Sequence, residues 1–406
     1  MKPSFLLPVF VLVCGLFACD KPLSGPEPDP VSVDSVSQIA RMNRTLAWKL
    51  FNQEQLGKPG ETVLIAPFSI QTALFMAQNG AKGNTRDEML ALMDCTDCSL
   101  DDLNALHRDL TTLLTEQSGD AEVTVANRFF YDNNRLNLHP PFAVTLNEYF
   151  ECGSESADFN AEQAALDLIN GWVKNNTNQK IDKILDQIGP LDVAFLINAL
   201  HFKSDWATGF SPQLTQSLPF TKADGMVVQK DFVNADRNFT YAQTGQFNLV
   251  DIPFRDSMYS LSLIQPSAAN TDPNWHQSIT PDTWLAMYAG AHYSRADVYF
   301  PKMELAFEDD LVNSLRTLGM QDAFSEIAAD FSGLGTSPTG NRIFINQIRH
   351  KAVLNVDEQG AEGAAVTSIG FAITSAPPTF HFNHPFVLVL RHVPTNTVMF
   401  LGYVAE

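Results

Sequence analysis

The chain has 406 residues, of which 45% are hydrophobic and 18% charged, so it can bury a large core. This composition excludes a disordered chain and one that spans membranes throughout. The formal net charge of -20 at pH 7 argues against nucleic acid or another polyanion as a partner.

Residues 1–18 have the layout of a secretory signal: Lys2 precedes an apolar run that is too short to span a bilayer. Ala18 directly before Cys19 resembles the lipobox of bacterial lipoproteins, in which the cysteine becomes the lipidated first residue. The alternative is a plain signal peptide with a coincidental cysteine. The Pro-rich tether that follows, residues 19–34, favours the lipid anchor. We expect one domain over residues 35–406, attached through Cys19 alone to the periplasmic face or the surface of a bacterial envelope.

Six segments are predicted to be helical from apolar stripes or capping signals. They are residues 36–51, residues 69–79, the segments that begin at 85 and at 99, residues 142–150 and residues 166–173. Thr85 with Glu88, and Ser99 with Asp102, have the spacing of capping boxes.

Strands are predicted where β-formers alternate or form short apolar runs. These segments are residues 63–66, 123–131, 193–200, 226–233 and 249–266, and a C-terminal hairpin of residues 385–391 and 397–404. Residues 193–200 are almost continuously apolar, as expected of a central strand covered on both faces. Asn198 interrupts this run, and a buried amide there needs hydrogen-bond partners.

Three cysteines lie beyond the signal and its anchor: Cys95, Cys98 and Cys152. Cys95 and Cys98 have redox or metal spacing, but no second pair completes a zinc site. A local disulfide or inert thiols remain the two interpretations. We expect no metal site and no cofactor.

Residues 357–375, DEQGAEGAAVTSIGFAITS, fit no ordinary element. Gly360, Gly363 and Gly370 argue against a helix, and the segment is too long and too apolar for a common surface loop. With period two, one face is free of charge and carries Ala361, Gly363, Ala365, Thr367, Ile369 and Phe371. The only charge between Glu358 and Arg391 is Glu362, on the other face. We expect a strand held in reserve for insertion into a sheet.

Several sequence blocks together resemble the serpin family. DEQGAEGAA matches the family's hinge motif, with HKAVLNV before it and FHFNHPF after it, and further blocks include APFSIQTALFMAQNGAKGNTRDEM, FLINALHFKSDW and VYFPK. The resemblance covers nearly everything after the first forty residues. It implies an α+β fold with three β-sheets, about eight to nine helices and an exposed reactive-centre loop.

The resemblance also implies functional positions. The reactive bond aligns at Thr374 and Ser375, although a slipped register at Phe371 or Ile373 remains an alternative. The hinge comprises Glu358, Gly360, Ala361, Glu362, Gly363, Ala364 and Ala365. The sheet-opening region comprises Trp206, Lys302, Ser69, Asn198 and His350.

Each sheet-opening residue also has a plain structural interpretation. The family pairs the Lys at position 302 with Glu358 at the base of the loop, yet an exposed pair of this kind contributes little stability. Ser69, Asn198 and His350 match a polar cluster placed where the central strands part. We treat His350 as a structural gate rather than a catalyst. Ala66 stands where many relatives have Ser, which leaves the cluster one hydroxyl poorer.

The implied activity is suicide-substrate inhibition of serine endopeptidases, with cysteine endopeptidases as a second class. No Lys or Arg lies between Lys351 and Arg391, so we expect elastase-like or subtilisin-like targets of broad specificity. Ala361 and Gly363 depart from the usual hinge residues, so the alternative is a non-inhibitory, binding or chaperone-like serpin. An enzyme is not expected, because no catalytic motif such as GxSxG or HExxH is present.

Some serpins bind sulphated polysaccharides through a basic helix. Here the matching residues 99–115 carry Asp101, Asp102 and Asp109 against Arg108 alone. We therefore expect no heparin-type partner, and a monomer.

Overall fold

A computed structural model describes residues 31–361 and 377–406, and Val31–Glu406 form one compact unit. Eight α-helices form among the described residues: α1 (Ser37–Gly57), α2 (Pro67–Gln78), α3 (Gly83–Leu92), α4 (Leu100–Thr115), α5 (Pro140–Phe150), α6 (Glu162–Asn176), α7 (Pro281–Ala289) and α8 (Val312–Thr317). The strands of the same residues are β1 (Val63–Ile65), β2 (Glu122–Tyr131), β3 (Asn137–Leu138), β4 (Gly153–Ser156), β5 (Ala194–Asp205), β6 (Gln216–Thr221), β7 (Val227–Gln243), β8 (Phe247–Pro253), β9 (Tyr259–Pro266), β10 (His292–Pro301), β11 (Met303–Asp310), β12 (Gly335–Thr336), β13 (Arg349–Val356), β14 (Gly360–Ala361), β15 (Thr379–His381), β16 (Phe386–His392) and β17 (Thr397–Val404).

The helices begin close to the predicted positions, with one capping error. Ser99 caps α4 and accepts from the backbone N–H of Asp102 at 3.5 Å, as predicted. Thr85 instead lies inside α3, where its hydroxyl accepts from the backbone N–H of Asp330 at 3.0 Å. The capping-box prediction for Thr85 is therefore wrong, because a distant segment of the chain uses that hydroxyl.

Nine strands of the described part of the chain form one continuous sheet. Its order is β1-β17-β16-β9-β8-β7-β10-β15, with β6 also paired to β7. The 17-residue β7 makes this possible, since its residues 227–232 pair with β6, residues 232–241 pair with β10 and residues 240–243 pair with β8. Two sheets expected to be separate are thereby joined along β7.

The sheet that contains the predicted central strand, which we call the main sheet, is divided into two parts. One part has the order β14-β5-β2-β4 and the other consists of β11 and β13. Within residues 31–361 and 377–406 no backbone pairing joins β5 to β13. The central strand predicted at residues 193–200 thus faces a gap on one side.

Helix α6 covers one face of this divided sheet. Ile169 and Val173 of α6 pack in a small hydrophobic cluster with Phe130 of β2 and with Phe195 and Ile197 of β5. The odd-numbered side chains of β5 therefore point towards α6, and the even-numbered ones point towards the main core.

The cysteines behave as structural groups. Cys95 and Cys98 form a disulfide with a Cα–Cα distance of 5.8 Å, between the end of α3 and the start of α4. Cys152 is buried, and burial raises the pKa of its thiol to about 12, which keeps it protonated and inert.

None of the helices formed by residues 31–361 and 377–406 is long and apolar enough to cross a bilayer. Over the same ranges, no three His, Cys, Asp or Glu side chains are grouped so that they could hold a metal ion.

Candidate functional site

The hinge begins as a short strand on the free side of β5. Gly360 and Ala361 form β14, which pairs antiparallel with Asp205 and Ser204 at the end of β5. Ala361 is 2% exposed, so its methyl group is accommodated. The first two residues after the turn therefore already occupy the gap between β5 and β13.

Gly360 is required at this point for two reasons. Its φ of +150° is a conformation that L-residues rarely adopt. A Cβ at this position would also lie 2.2 Å from the carbonyl oxygen of Ser204. Only glycine lets the chain approach β5 this closely.

Glu358 fixes the base of the hinge through both of its carboxylate oxygens. Oε2 lies 3.0 Å from Nζ of Lys302, and Oε1 accepts from the hydroxyl of Thr215 at 2.7 Å. Burial by itself would raise the pKa of Glu358, but the bonds from Thr215 and Lys302 outweigh it and lower that pKa. The hydrogen bond to Glu358 raises the pKa of Lys302 in turn. The pair is hence charged at neutral pH.

Trp206 holds the turn that precedes the hinge. Its indole Nε1 donates to the backbone oxygen of Asp357 at 2.9 Å, and its backbone N–H donates to Gln359 at 2.8 Å. The buried indole also stacks on Phe254, with ring centroids 4.5 Å apart. Trp206 thus ties the end of β13 to the end of β5.

A chain of polar side chains links α2 to β5 and β2 beside the gap. The hydroxyl of Ser69 on α2 donates to Oδ1 of Asn198, whose amide donates to Oδ1 of Asn127 on β2 at 2.7 Å. Asn127 in turn donates to the backbone oxygen of Phe150 at 2.8 Å. Asn198 therefore has the partners that its position in an apolar strand demands.

His350 joins the same region through the backbone. Its Nε2 accepts from the N–H of Ala66 at 3.2 Å, so the neutral ring carries its proton on Nδ1. Burial lowers the pKa of His350 to about 4. The structure brings the side chains of Ser69 and Asn198 into contact. His350 bonds instead to the backbone N–H of Ala66, directly before α2.

Between β5 and β13 lies a cavity of about 210 Å³. Residues 193–202 of the β5 side and residues 343–355 of the β13 side line it, together with Ser69 and several apolar residues of α2. Its lining comes from consecutive stretches on both sides of the gap, and β14 pairs with β5 just beyond it, at Ser204 and Asp205.

The other end of the loop is anchored on the nine-stranded sheet. β15 runs parallel to β10, with Thr379 opposite Asp297, and the backbone N–H of Asp297 donates to Pro378 at 2.9 Å. The predicted reactive bond at Thr374 and Ser375 lies outside the described residues. So do four hinge residues, Glu362, Gly363, Ala364 and Ala365, and the predicted lipid anchor, Cys19.

Sequence reasoning missed Thr215 and Asn127. Thr215 follows a short 3₁₀ turn, Pro212–Leu214, and meets Glu358 across 143 positions of sequence. Asn127 does carry a signal, since it interrupts a predicted strand opposite Asn198 in the pair β2–β5. Two amides facing each other across a sheet could have been found by aligning the two strands.

Comparison with known proteins agrees with this geometry. The family model described as Serpin (serine protease inhibitor) matches residues 41–406. Glia-derived nexin of Homo sapiens is 28% identical over 88% of this chain and 90% of its own. Iripin-1 of Ixodes ricinus is 30% identical over 85% of this chain and 89% of its own.

A solved structure of the thermophilic serpin tengpin in its native state superposes with a TM-score of 0.82 at 29% identity, covering 91% of this chain and 94% of that one. The predicted fold class is confirmed by this match, by the family model and by the eight helices of the described residues. This chain belongs to the serpin family.

Proposed function

We propose that this serpin is a suicide-substrate inhibitor of serine endopeptidases, with cysteine endopeptidases as a second class. The observation that carries the proposal is the cavity between β5 and β13, next to which the hinge strand β14 already pairs with the end of β5. A strand edge left without a partner favours the addition of another strand. In this proposal the reactive-centre loop supplies that strand.

The register of β14 supports insertion of the uncharged face. Ala361 lies opposite Ser204, an even-numbered position of β5 that faces the core. Continuing this pairing gives every second loop residue, from Gly363 to Phe371, an even-numbered partner on β5. These are the residues that the sequence pattern left free of charge.

In the proposed mechanism the protease cleaves the loop before the loop inserts into the sheet. The protease serine attacks the carbonyl of Thr374, and the bond to the nitrogen of Ser375 breaks as that amine leaves. Thr374 stays esterified to the protease while the cut strand enters the gap. Insertion then pulls on the acylated protease and distorts its active site, so that deacylation is blocked. This serpin itself contributes no catalytic group.

The target class follows from the loop residues. Ala372, Ile373 and Thr374 are small or branched, and the nearest basic residues are Lys351 and Arg391. Elastase-like or subtilisin-like enzymes accept such side chains, whereas trypsin-like pockets require a cation. We also propose that a lipid on Cys19 holds the domain at the bacterial envelope; equal partition of wild type and Cys19→Ala between membrane and soluble fractions would refute the anchor.

The decisive experiment mixes the serpin with elastase and examines the products by denaturing electrophoresis. The proposal predicts a covalent high-mass band and a released peptide that begins at Ser375. Cleavage without that band would favour the second candidate, a non-inhibitory binding or chaperone-like serpin. Ala361 and Gly363 are the hinge residues that favour this candidate, and the flexibility of Gly363 would slow insertion.

A further inference from the structure

The disulfide between Cys95 and Cys98 joins two residues that the chain itself already holds close together. Their sequence separation is three, and the bond closes a loop that contains only Thr96 and Asp97. The entropy that a disulfide removes from the unfolded chain grows with the length of the loop it closes. This bond therefore adds less to stability than a disulfide between distant segments would.

Hydrogen bonds also hold both ends of this loop. The backbone N–H of Cys95 donates to the oxygen of Leu90 at 3.1 Å, at the end of α3. On the other side Ser99, next to Cys98, caps α4 by accepting from the backbone N–H of Asp102 at 3.5 Å. The loop should accordingly keep its place when the disulfide is opened.

The two cysteines differ in their access to solvent. Cys95 is only 4% exposed. Cys98 is half-buried, and Thr96, Asp97 and Ser99 around it are exposed. Thiol–disulfide exchange begins when a thiolate attacks one sulfur of the bond, and access decides which sulfur is attacked. A thiolate from solvent therefore reaches Cys98 more readily than Cys95.

An amide donor lies against both sulfurs. Nε2 of Gln38, in the first turn of α1, donates to Sγ of Cys98 at 3.3 Å and to Sγ of Cys95 at 3.7 Å. The free N–H groups at the start of α4, two residues after Cys98, also favour negative charge nearby. Both features stabilise a thiolate when the bond opens.

Carboxylates surround the exposed end of the bond. Asp97 lies inside the loop, and Asp101 and Asp102 occupy the first turn of α4. On α1 the cation closest in sequence to Gln38 is Arg41, so negative charge exceeds positive charge around Cys98. A cationic thiol should therefore be attracted to this bond and an anionic thiol repelled.

We propose that the Cys95–Cys98 disulfide is a thiol–disulfide exchange site for a dithiol with a neutral or cationic binding surface. The spacing of the two cysteines is that of redox-active pairs, in which a thiol closes the bond again after reduction. The site takes no part in the gap between β5 and β13. It therefore goes beyond the inhibitor function and does not depend on it.

The exchange proceeds in two balanced steps. A thiolate of the dithiol attacks Sγ of Cys98, the Cys95–Cys98 bond breaks, and Sγ of Cys95 leaves as a thiolate that takes up a proton. The second thiolate of the dithiol then attacks its partner sulfur in the mixed disulfide and releases Cys98, which is protonated in turn. Two electrons pass to this protein, and the dithiol becomes a disulfide.

The first test opens the bond in the folded protein with dithiothreitol and labels free thiols with iodoacetamide. The protein is then denatured, and a heavier alkylating reagent labels the remaining thiols. Mass spectrometry of the peptides identifies which label each cysteine carries. Cys152 is the internal control, because it is buried and takes the first label only where the fold has opened.

We expect Cys98 to take the first label and Cys95 to be alkylated in either step, while Cys152 takes only the second label. The melting temperature of the reduced protein should lie within about 5 °C of that of the oxidised protein. Reduction that occurs only together with first-step labelling of Cys152, or no reduction at all, would overturn the exchange site.

The second test compares cationic cysteamine with anionic 2-mercaptoethanesulfonate at equal concentrations of thiolate. The mixed disulfide is trapped with acid and located by mass spectrometry. We expect it on Cys98, formed about fivefold or more faster with cysteamine at low salt, with a smaller ratio at high salt. A mixed disulfide on Cys95, or equal rates for the two thiols, would contradict the proposed route and its charge selection.

Substitutions separate the two contributions. Asp97→Asn combined with Asp101→Asn should lower the ratio of the two rates about twofold or more, because it removes two of the carboxylates. Asp87→Asn is the matched control, since it removes an exposed carboxylate from α3 and should leave the ratio unchanged. Gln38→Ala should slow both thiols alike, because it removes the amide donor. An unchanged ratio in the double variant would overturn the charge selection, and unchanged rates in Gln38→Ala would overturn the role of that amide.

Discussion

Ala361 lies opposite Ser204 across an antiparallel pair, and Gly360 lies opposite Asp205. These two contacts set the register for any further pairing between the loop and β5, because each later loop residue meets one residue earlier on the strand. Gly363 should meet Phe202, Thr367 should meet Asn198, and Phe371 should meet Ala194. Glu362 should meet Lys203 on the opposite face, where the two charges attract.

The register can be tested by cross-linking. With Val366→Cys and Ala199→Cys in one chain, we expect a disulfide after the loop is cut, because directly opposed residues bring their Cβ atoms to about 5 Å. Mass spectrometry of non-reduced fragments detects it. The shifted pair Val366→Cys and Ile197→Cys should remain unlinked. Efficient linkage of that shifted pair, or of the first pair before cleavage, would contradict the register.

Gly360→Ala tests the pairing of the hinge itself. The new methyl group would clash with the carbonyl of Ser204 in a conformation that alanine disfavours. We expect a loss of roughly 1–3 kcal/mol of native stability, measured by chemical unfolding, and more molecules cleaved without trapping. Gly245→Ala is the control, since a Cβ there meets nothing within 4 Å. Equal effects of the two substitutions would show that the hinge does not depend on this approach.

His350 should make the native form sensitive to acid. Its pKa is about 4 in the fold against an ordinary 6.5, so the unfolded chain binds more protons between these values. The contribution of His350 to the free energy of unfolding is fully present above about pH 6.5. It is lost as the pH falls towards 4, by roughly 3 kcal/mol. His350→Gln should flatten part of the decline in urea unfolding between pH 7 and 5.

The remaining slope in that variant comes from other histidines. His107, His276 and His392 are also buried, and burial lowers the pKa of each. An unchanged slope in His350→Gln would mean that its neutral form is not needed by the fold.

The structure also shows where sequence patterns stop being informative. The strand at residues 193–200 and the need of Asn198 for partners were predictable, since both follow from an apolar run that an amide interrupts. The hydrogen bond from the backbone N–H of Ala66 to His350 was not predictable. Every residue except proline has a backbone N–H, so the residue type at position 66 gives no signal of this bond. Thr85 was misassigned because its hydroxyl bonds a residue 245 positions away. Long-range partners such as Thr215 and Glu358 depend on how the sheets pack, which no local pattern contains.

The acidic start of α4 predicts that heparin has no effect on inhibition. Asp101 and Asp102 occupy its first turn, and Arg108 is paired with Asp109 at 3.3 Å. We expect the rate of complex formation to stay within about twofold over a wide range of heparin concentration. A large acceleration that disappears at high salt would show that a basic surface elsewhere binds the polysaccharide.

The inhibitor proposal requires that the uncut fold be metastable and that insertion of the loop relax it. Comparing the thermal unfolding of intact protein with that of protein cut in the loop tests this requirement most directly. We predict that the cut form melts far above the intact form, because the gap between β5 and β13 is then filled by a paired strand. Equal melting temperatures would contradict the account.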